Sequence, residues 1–379
     1  MNLTKIGKEI NKMKKVSLIL SLIVALSMIL SACAPAVTPT PEKVVEKVVE
    51  TKVVEVEKVV EKQVTVPAPL EKKQITICFA FQDLETEFWV AGHKAITETL
   101  GSKGIKVIEY NGNEDANRQL EQVKDCIAQK VDGIIIIPQD GESAVTIVGE
   151  ANKAGIPIAV FNRPPSNKSN PAIVVVANNE AIAEAAVEHM AQEAKKLGRK
   201  VTPLIMVGDL GDPNAVGRRK GFFNVIEKYP DLFNKPIEVP TKWDAAVAQA
   251  GLENALQANP EVDFLFTSSD FMFPLIQGVL EQRGKWKPIG DPNHVIMGGL
   301  DGDVTACRLL KEKMIDSTGV QDLYFEAEAT MNALLQAIAL GEKTPENWIN
   351  DPGFALTQAN IDKREMDMWG CKLLAEKNK

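Results

Sequence analysis

The chain has 379 residues, 45% hydrophobic and 25% charged, a composition that excludes wholesale disorder and suits two to three domain-sized units. Its 51 acidic and 43 basic side chains give a formal charge of -8, a poor balance for binding a polyanion, so nucleic acid is not expected as a partner. Three histidines and five cysteines, with no Cys-x-x-Cys and no His-x-x-x-His spacing, argue against a dedicated metal site.

Lys5, Lys8, Lys12, Lys14 and Lys15 precede an uncharged apolar-rich run, Val16 to Leu30, which ends in Leu30-Ser31-Ala32-Cys33. The order of basic, apolar and small-residue segments is that of a secretory signal peptide over residues 1–32. A run that short spans a hydrocarbon core of roughly 30 Å poorly, so a permanent membrane helix is the weaker reading. The residues before Cys33 resemble the lipobox of bacterial lipoproteins. That resemblance implies an acylated Cys33 and a chain exported and lipid-anchored on the outer face of the cytoplasmic membrane. Residues 33–73 then read as anchor and spacer. A Pro/Thr stretch gives way to repeated valine pairs (Val44-Val45, Val48-Val49, Val53-Val54, Val59-Val60) among Glu and Lys, too little apolar surface for a core. A solvated tether is preferred to a self-associating coiled coil because the heptad is irregular.

Beyond Lys73, short β-branched runs alternate with segments of helical period, which predicts an α/β fold of parallel βαβ units. The first series of strands is Ile75 to Phe81, Lys106 to Tyr110, Gly133 to Pro138, Ile158 to Phe161 and Ile173 to Ala177. The second is Thr202 to Val207, Ile237 to Val239, Phe264 to Thr267, His294 to Gly298 and Ile315 to Val320. Helices are expected at Glu87 to Ser102, Asn117 to Gln129, Glu180 to Leu197, Val216 to Lys228, Ala245 to Ala258 and Leu323 to Leu340. Two series of strands imply two similar doubly wound lobes. Four cysteines remain after Cys33, and they allow three pairings. Cys78 with Cys126 and Cys307 with Cys371 is one of these, while buried free thiols account equally well for the first two.

Ligands of open parallel sheets sit beyond the carboxyl ends of the strands, so the strand-following loops carry the functional signal. They hold Gln82 to Trp89, Asn162-Arg163, Asp212 to Arg218, Trp243, Ser268 to Asp270, Asp301 to Asp303 and Gln321. Carboxylates and amides accept from and donate to hydroxyls, arginine offers a planar fork of donors, and aromatic faces cover the C–H faces of a ring; together they suit a neutral polyol.

At these loops, over about residues 74–360, the sequence resembles the periplasmic sugar-binding proteins of the ribose and glucose/galactose type, the solute receptors of ABC importers. Phe88 and Trp89 match the aromatics that flank the sugar, and Asn162-Arg163 the polar pair after the fourth strand. Arg218 matches an arginine in an A-x-x-R-x-x-G-F-like segment, Trp243 an aromatic before the seventh helix, Asp301 the aspartate of a G-F-D-G motif and Gln321 a hinge amide. Asn214 lies in the segment that, with Asn162 and Trp243, is closer to the hexose-binding branch, and Ser269 replaces the usual asparagine. The resemblance implies a type 1 periplasmic binding fold in which a three-strand hinge joins two parallel-sheet lobes, 74–177 plus 322–353 and 178–321 plus 354–371. It implies a monomer that binds a hexose or pentose without cofactor or metal, at Phe88, Trp89, Asn162, Arg163, Asn214, Arg218, Trp243, Ser269, Asp301 and Gln321, and hands it to permease subunits.

Locally, Arg163 and Arg218 would otherwise be surface ion pairs, Phe88 and Trp89 core residues, and Asp301 a helix cap. Arg218 is expected to serve the ligand rather than the fold. The alternative function is a receptor feeding chemotaxis or a sensor kinase. An α/β enzyme ranks below both, since the chain has no G-x-G-x-x-G, no phosphate-binding G-x-x-x-x-G-K-[ST] and no G-x-S-x-G elbow. The signal segment also occupies the place where a sugar-sensing repressor would carry its DNA-binding helices.

Overall fold

A computed structural model describes residues 74–377; the signal segment, Cys33 and the spacer lie outside the described residues. Twelve strands form two six-stranded sheets. The first runs in the order β11-β5-β4-β3-β1-β2 and is parallel throughout, from β1 (Thr76–Phe81), β2 (Lys106–Asn111), β3 (Gly133–Ile136), β4 (Ile158–Phe161), β5 (Ile173–Ala177) and β11 (Asn347–Asp351). The second is β12-β10-β9-β8-β6-β7, from β6 (Pro203–Val207), β7 (Ile237–Pro240), β8 (Phe264–Thr267), β9 (Ile296–Asp301), β10 (Ser317–Val320) and β12 (Phe354–Thr357). Only β12 runs antiparallel, against β10.

Both sheets are covered on both faces, which is why their strands read as unbroken apolar runs: Ile134, Ile135 and Ile136 are all fully buried. The covering helices begin on side-chain caps. Thr86 accepts from the Trp89 amide at the head of α1 (Glu87–Ser102), and Asp115 caps α2 (Ala116–Ala128). Asp140 makes a reciprocal box with Ser143 on α3 (Gly141–Ala154), and Asn178 caps α4 (Asn179–Lys195). In the second half, Asp212, Asp244 and Asp303 cap α5 (Pro213–Lys228), α6 (Ala245–Ala258) and α8 (Val304–Lys311). The helix α7 (Phe273–Gln282) follows a short 3-10 turn instead. The helix α9 (Leu323–Leu340), capped by Asp322, returns the chain to the first sheet, and α10 (Ile361–Arg364) and α11 (Trp369–Lys377) close the described chain.

Three segments pass between the sheets. Each is a point where a strand of one sheet is followed by an element of the other: Ala177 to Asn179, Val320 to Leu323, and Asp351 to Phe354. Cys78 is bonded to Cys126, tying β1 to α2, and Cys307 to Cys371, tying α8 to α11.

The ninth strand expected at His294 to Gly298 begins at Ile296 and reaches Asp301, because His294 is turned aside to bond its ring to Asp316 and the Lys287 carbonyl. The strands β11 and β12 carried no sequence signal, β11 being mostly polar and β12 only four residues long, and they pair only at the sheet edges.

Candidate functional site

The carboxyl ends of both sheets face one cavity of about 330 Å³, at the lower end of the range of about 300–1,000 Å³ for small-molecule sites. From the first sheet come Phe88 and Trp89 in the first turn of α1, and Asn162 and Arg163 after β4. From the second come Asn214 and Arg218 on α5, Trp243 after β7, Ser269 after β8, Asp301 at the end of β9 and Gln321 after β10. All ten residues singled out in the sequence therefore line the same space.

The side chains are held in a continuous polar network. Arg218 Nη2 lies 2.9 Å from Asp301 Oδ1, its Nε donates to Asn179 Oδ1 at 2.6 Å and its Nη1 to the Ser268 carbonyl at 2.6 Å. Asp301 also accepts from Gln321 Nε2 at 2.8 Å and from the Ser269 hydroxyl. Asn162 Nδ2 donates to Gln321 Oε1 at 3.0 Å, and Asn162 Oδ1 accepts from Asn214 Nδ2 at 3.0 Å, so the two halves are bonded across the cleft. Arg163 Nη1 donates to the Gln139 and Pro138 carbonyls at 2.6 and 3.1 Å and to Gln82 Oε1. Its Nε stands 2.8 Å from Asp212 Oδ2, an ion-pair distance at which the N–H is not aligned for a hydrogen bond.

Each arginine is backed by an indole. The Arg163 guanidinium lies 5.5 Å from the centre of the Trp89 ring and that of Arg218 5.7 Å from Trp243. The Trp243 Nε1 donates to Asp212 Oδ2 at 3.2 Å. Gly208 makes this placement possible: a Cβ there would fall inside the Trp243 indole. Five of the eight described non-glycine residues with positive φ line the cavity, namely Glu114, Asn162, Lys242, Trp243 and Asp301. Backbone strain of this kind, about 1–3 kcal/mol per residue, persists where surrounding structure fixes a functional geometry.

Carboxylates outnumber cations here. Burial raises the Asp301 pKa, and the Arg218 charge is the main influence opposing it. Behind it Asp270 is raised well above the usual range by burial and by the charges of Asp303 and Asp301, and Asp303 is pushed up to about 7, chiefly by burial. At the rim, Glu114 is raised by burial and by Asp83, Glu85 and Asp244. Two arginines already neutralised by Asp212 and Asp301 leave a deep floor suited to an uncharged ligand rich in hydroxyls.

The sequence left the role of Asp301 open between cap and site; Asp303 makes the cap, with its carboxylate on the Ala306 amide, and Asp301 faces the cavity. Phe88 and Trp89 belong to the core and the cavity wall alike, being 6% and 9% exposed. Arg218 is not reserved for a ligand, since its three protein partners also make it a member of the fold. Residues outside the anticipated ten include Gln82, Asp83, Glu114, Gln139, Asp209, Asp212, Lys242 and Asp244, all on strand-following loops, and Asn179, which bridges Arg218 and Asn214. Asn179 carried no local signal beyond its place after the first crossing.

The model of the periplasmic binding protein domain matches residues 77–343. The ribose import binding protein of Bacillus subtilis is 26% identical over 246 residues, 65% of this chain and 76% of that protein. A xylitol-binding protein of Mycolicibacterium smegmatis is 26% identical over 282 residues, covering 73% of this chain and 76% of that one. Among solved structures, an ABC transporter solute-binding protein from Bacillus halodurans with bound myo-inositol superposes with a TM-score of 0.69 at 26% identity, over 79% of this chain and 99% of its own.

Proposed function

This chain belongs to the periplasmic binding protein domain family, and from that premise we propose that it is an extracytoplasmic receptor for a monosaccharide, hexose or pentose. It traps the sugar between two closing lobes and delivers it unaltered to an ABC permease. The observation that carries this reading is the convergence of two arginine–aspartate pairs, two indoles and an amide relay, drawn from both sheets, on one cavity. Relatives named for ribose and xylitol, and a structure holding myo-inositol, support a small neutral polyol as ligand.

The binding residues are Phe88, Trp89, Asn162, Arg163, Asn214, Arg218, Trp243, Ser269, Asp301 and Gln321. The lobes are 74–177 plus 322–353 and 178–321 plus 354–371, a division supported by the membership of β1 to β5 and β11 in one sheet and the remaining strands in the other. Contacts such as Asn162 with Asn214 exist only when the lobes meet, so a ligand that adds bonds to both sides favours the closed form by its differential affinity. A micromolar sugar needs about 8 kcal/mol, within reach of several charge-assisted hydrogen bonds and ring stacking. No bond of the ligand is broken in this cycle. The protein acts as a monomer, tethered through a lipidated Cys33 by its spacer, a reading that rests on the sequence pattern of residues outside the described chain.

Calorimetric titration of the purified protein with D-ribose, D-xylose, D-glucose, D-galactose and myo-inositol tests the proposal. One of these is expected to bind tightly and to be recovered unchanged. Product formation from the bound sugar, or no binding by any neutral sugar or polyol, overturns it.

A further inference from the structure

Glu326 and Asp351 are among the buried acids that do not line the cavity. Glu326, in the first turn of α9, is fully buried; its Oε2 accepts from Asn162 Nδ2 at 2.8 Å, while Oε1 meets no donor. Asp351, at the end of β11, accepts through Oδ2 from the amide of Asp322, the cap residue one turn before Glu326 whose carbonyl accepts from the Glu326 amide, and this sets the Asp351 carboxyl group beside that of Glu326. Asp351 touches all three segments that pass between the sheets. Its backbone carbonyl accepts from the Asn178 amide at 2.9 Å in the first crossing. Its Oδ2 accepts from the Asp322 amide at 2.6 Å in the second, and its Oδ1 from the Gly353 amide at 2.9 Å in the third.

We propose that Glu326 and Asp351 share one proton and act as a positioning pair that ties the three hinge segments together and holds Asn162 against Asn214 across the cleft. The argument is geometric. Both Asp351 oxygens already receive backbone N–H groups, so Asp351 is the ionised member and Glu326 Oε1 carries the proton, donating it to Asp351. Without that proton two carboxylates would face each other in a site that excludes water. The other charge acting on Glu326 is Arg218 on α5, which is already paired with Asp301, and Asp322 at the head of α9 adds negative charge beside Asp351. Burial and the Asp351 charge both hold the Glu326 pKa well above the usual range, in agreement with the protonated form. Asn162 Nδ2 is shared between Glu326 and Gln321, and Asn162 Oδ1 reaches Asn214. A change at the hinge pair thus reaches the cleft through one amide.

This inference rests on the two-lobed receptor reading for its functional meaning, and its test is read without a ligand. In the full-length protein, amide hydrogen exchange at residues 178, 322 and 353 and the distance between spin labels on the two lobes are measured for E326Q, E326A and D351A. In E326Q the amide accepts from Asn162 and donates to Asp351 as the protonated acid does; exchange and distances are expected to match the parent protein. E326A and D351A are expected to exchange at least tenfold faster at these amides and to broaden the distances. If D351A does not fold, D351N, which keeps one acceptor oxygen, is expected to speed exchange at residue 322 or 353 alone. A pH series separates the pair from mere packing. Burial and the Asp351 charge let Glu326 hold its proton to higher pH when folded than when unfolded, where it ionises near 4.5, so its contribution to stability falls as pH rises above that value, and the melting-temperature gain of E326Q over the parent should widen as the pH is raised from 5. E326Q behaving like E326A, or a gap that does not change with pH, overturns the inference. Titration with D-ribose, D-xylose and myo-inositol is run alongside: loss of all binding in the parent protein sinks the receptor reading while the exchange data still decide the hinge pair.

Discussion

Arg163 and Asp212 meet across the cleft, Nε 2.8 Å from Oδ2, with each side chain 4% exposed. One follows β4 of the first sheet and the other caps α5 beside the second, so the pair spans the gap that a ligand would enter. Breaking a buried pair from one side leaves an uncompensated charge and costs about 3–5 kcal/mol. Asp212 keeps donors from the Asn214 amide and the Trp243 indole, which places Arg163→Ala at the lower end, about 3 kcal/mol by urea denaturation. A double-mutant cycle with Asp212→Ala should show a coupling of about 0.5–3 kcal/mol; strictly additive losses would mean that the two groups do not interact.

Gly208 and Trp243 give a prediction about ligand affinity. The indole lies where a Gly208 side chain would be, and it backs Arg218 while bonding Asp212. Gly208→Ala must displace the ring, so it is expected to weaken sugar binding about 10- to 100-fold, the loss of roughly 1.4–2.8 kcal/mol of stacking and hydrogen bonding, and Trp243→Ala should do the same. Trp243→Phe keeps the aromatic face and loses only the bond to Asp212, so its loss should be smaller. Calorimetry with the best-binding sugar checks the order; a Gly208→Ala protein of parental affinity would show that the indole is not part of the site.

The sheets were legible because burial on both faces leaves a run such as Ile134 to Ile137 no polar position, and the site was legible because topology sends every strand-following loop to one side. What escaped depends on contacts between distant segments. Asn179 bridges Arg218 and Asn214 from a helix start with no motif of its own, and Glu326 reads in sequence as an ordinary helix acid although it is fully buried. The edge strands are weak signals, β11 because it is mostly polar and β12 because it has only four residues, so only their pairing with β5 and β10 defines them. Asp301 and Asp303 are near neighbours of one type, and local sequence does not say which one caps α8.

The disulfides close loops of 48 and 64 residues, for which the chain-entropy account gives about 4 kcal/mol each as an upper value. All four sulfurs belong to buried residues, so mild reductant should leave the native protein oxidised, whereas reduction during unfolding removes the constraint. Cys78→Ser with Cys126→Ser, and Cys307→Ser with Cys371→Ser, should each lower stability by about 2–4 kcal/mol in denaturant titrations. The second pair anchors α11, so its loss should also increase exchange in residues 369–377, while the first should leave that segment unchanged.

Two histidines predict pH slopes of opposite sign. His294 is partly buried, which disfavours its charge, yet the hydrogen bond and charge of Asp316 (Nε2 to Oδ2, 3.0 Å) and the Lys287 carbonyl at Nδ1 (2.6 Å) outweigh that burial and raise its pKa above 6.5. Its contribution to stability is therefore complete below pH 6.5 and is lost as pH rises through the folded value. His189 is the reverse: burial lowers its pKa, outweighing Glu193 and Asp316, and its buried Nε2 has no partner. Its contribution is present above pH 6.5 and is lost as pH falls through the folded value. Thermal unfolding of His294→Gln should thus fall furthest below the parent near pH 5 and approach it towards pH 8, whereas His189→Gln should gain on the parent as the pH drops. Parallel curves for the parent and His294→Gln would show that the His294–Asp316 contact carries no proton-linked stability.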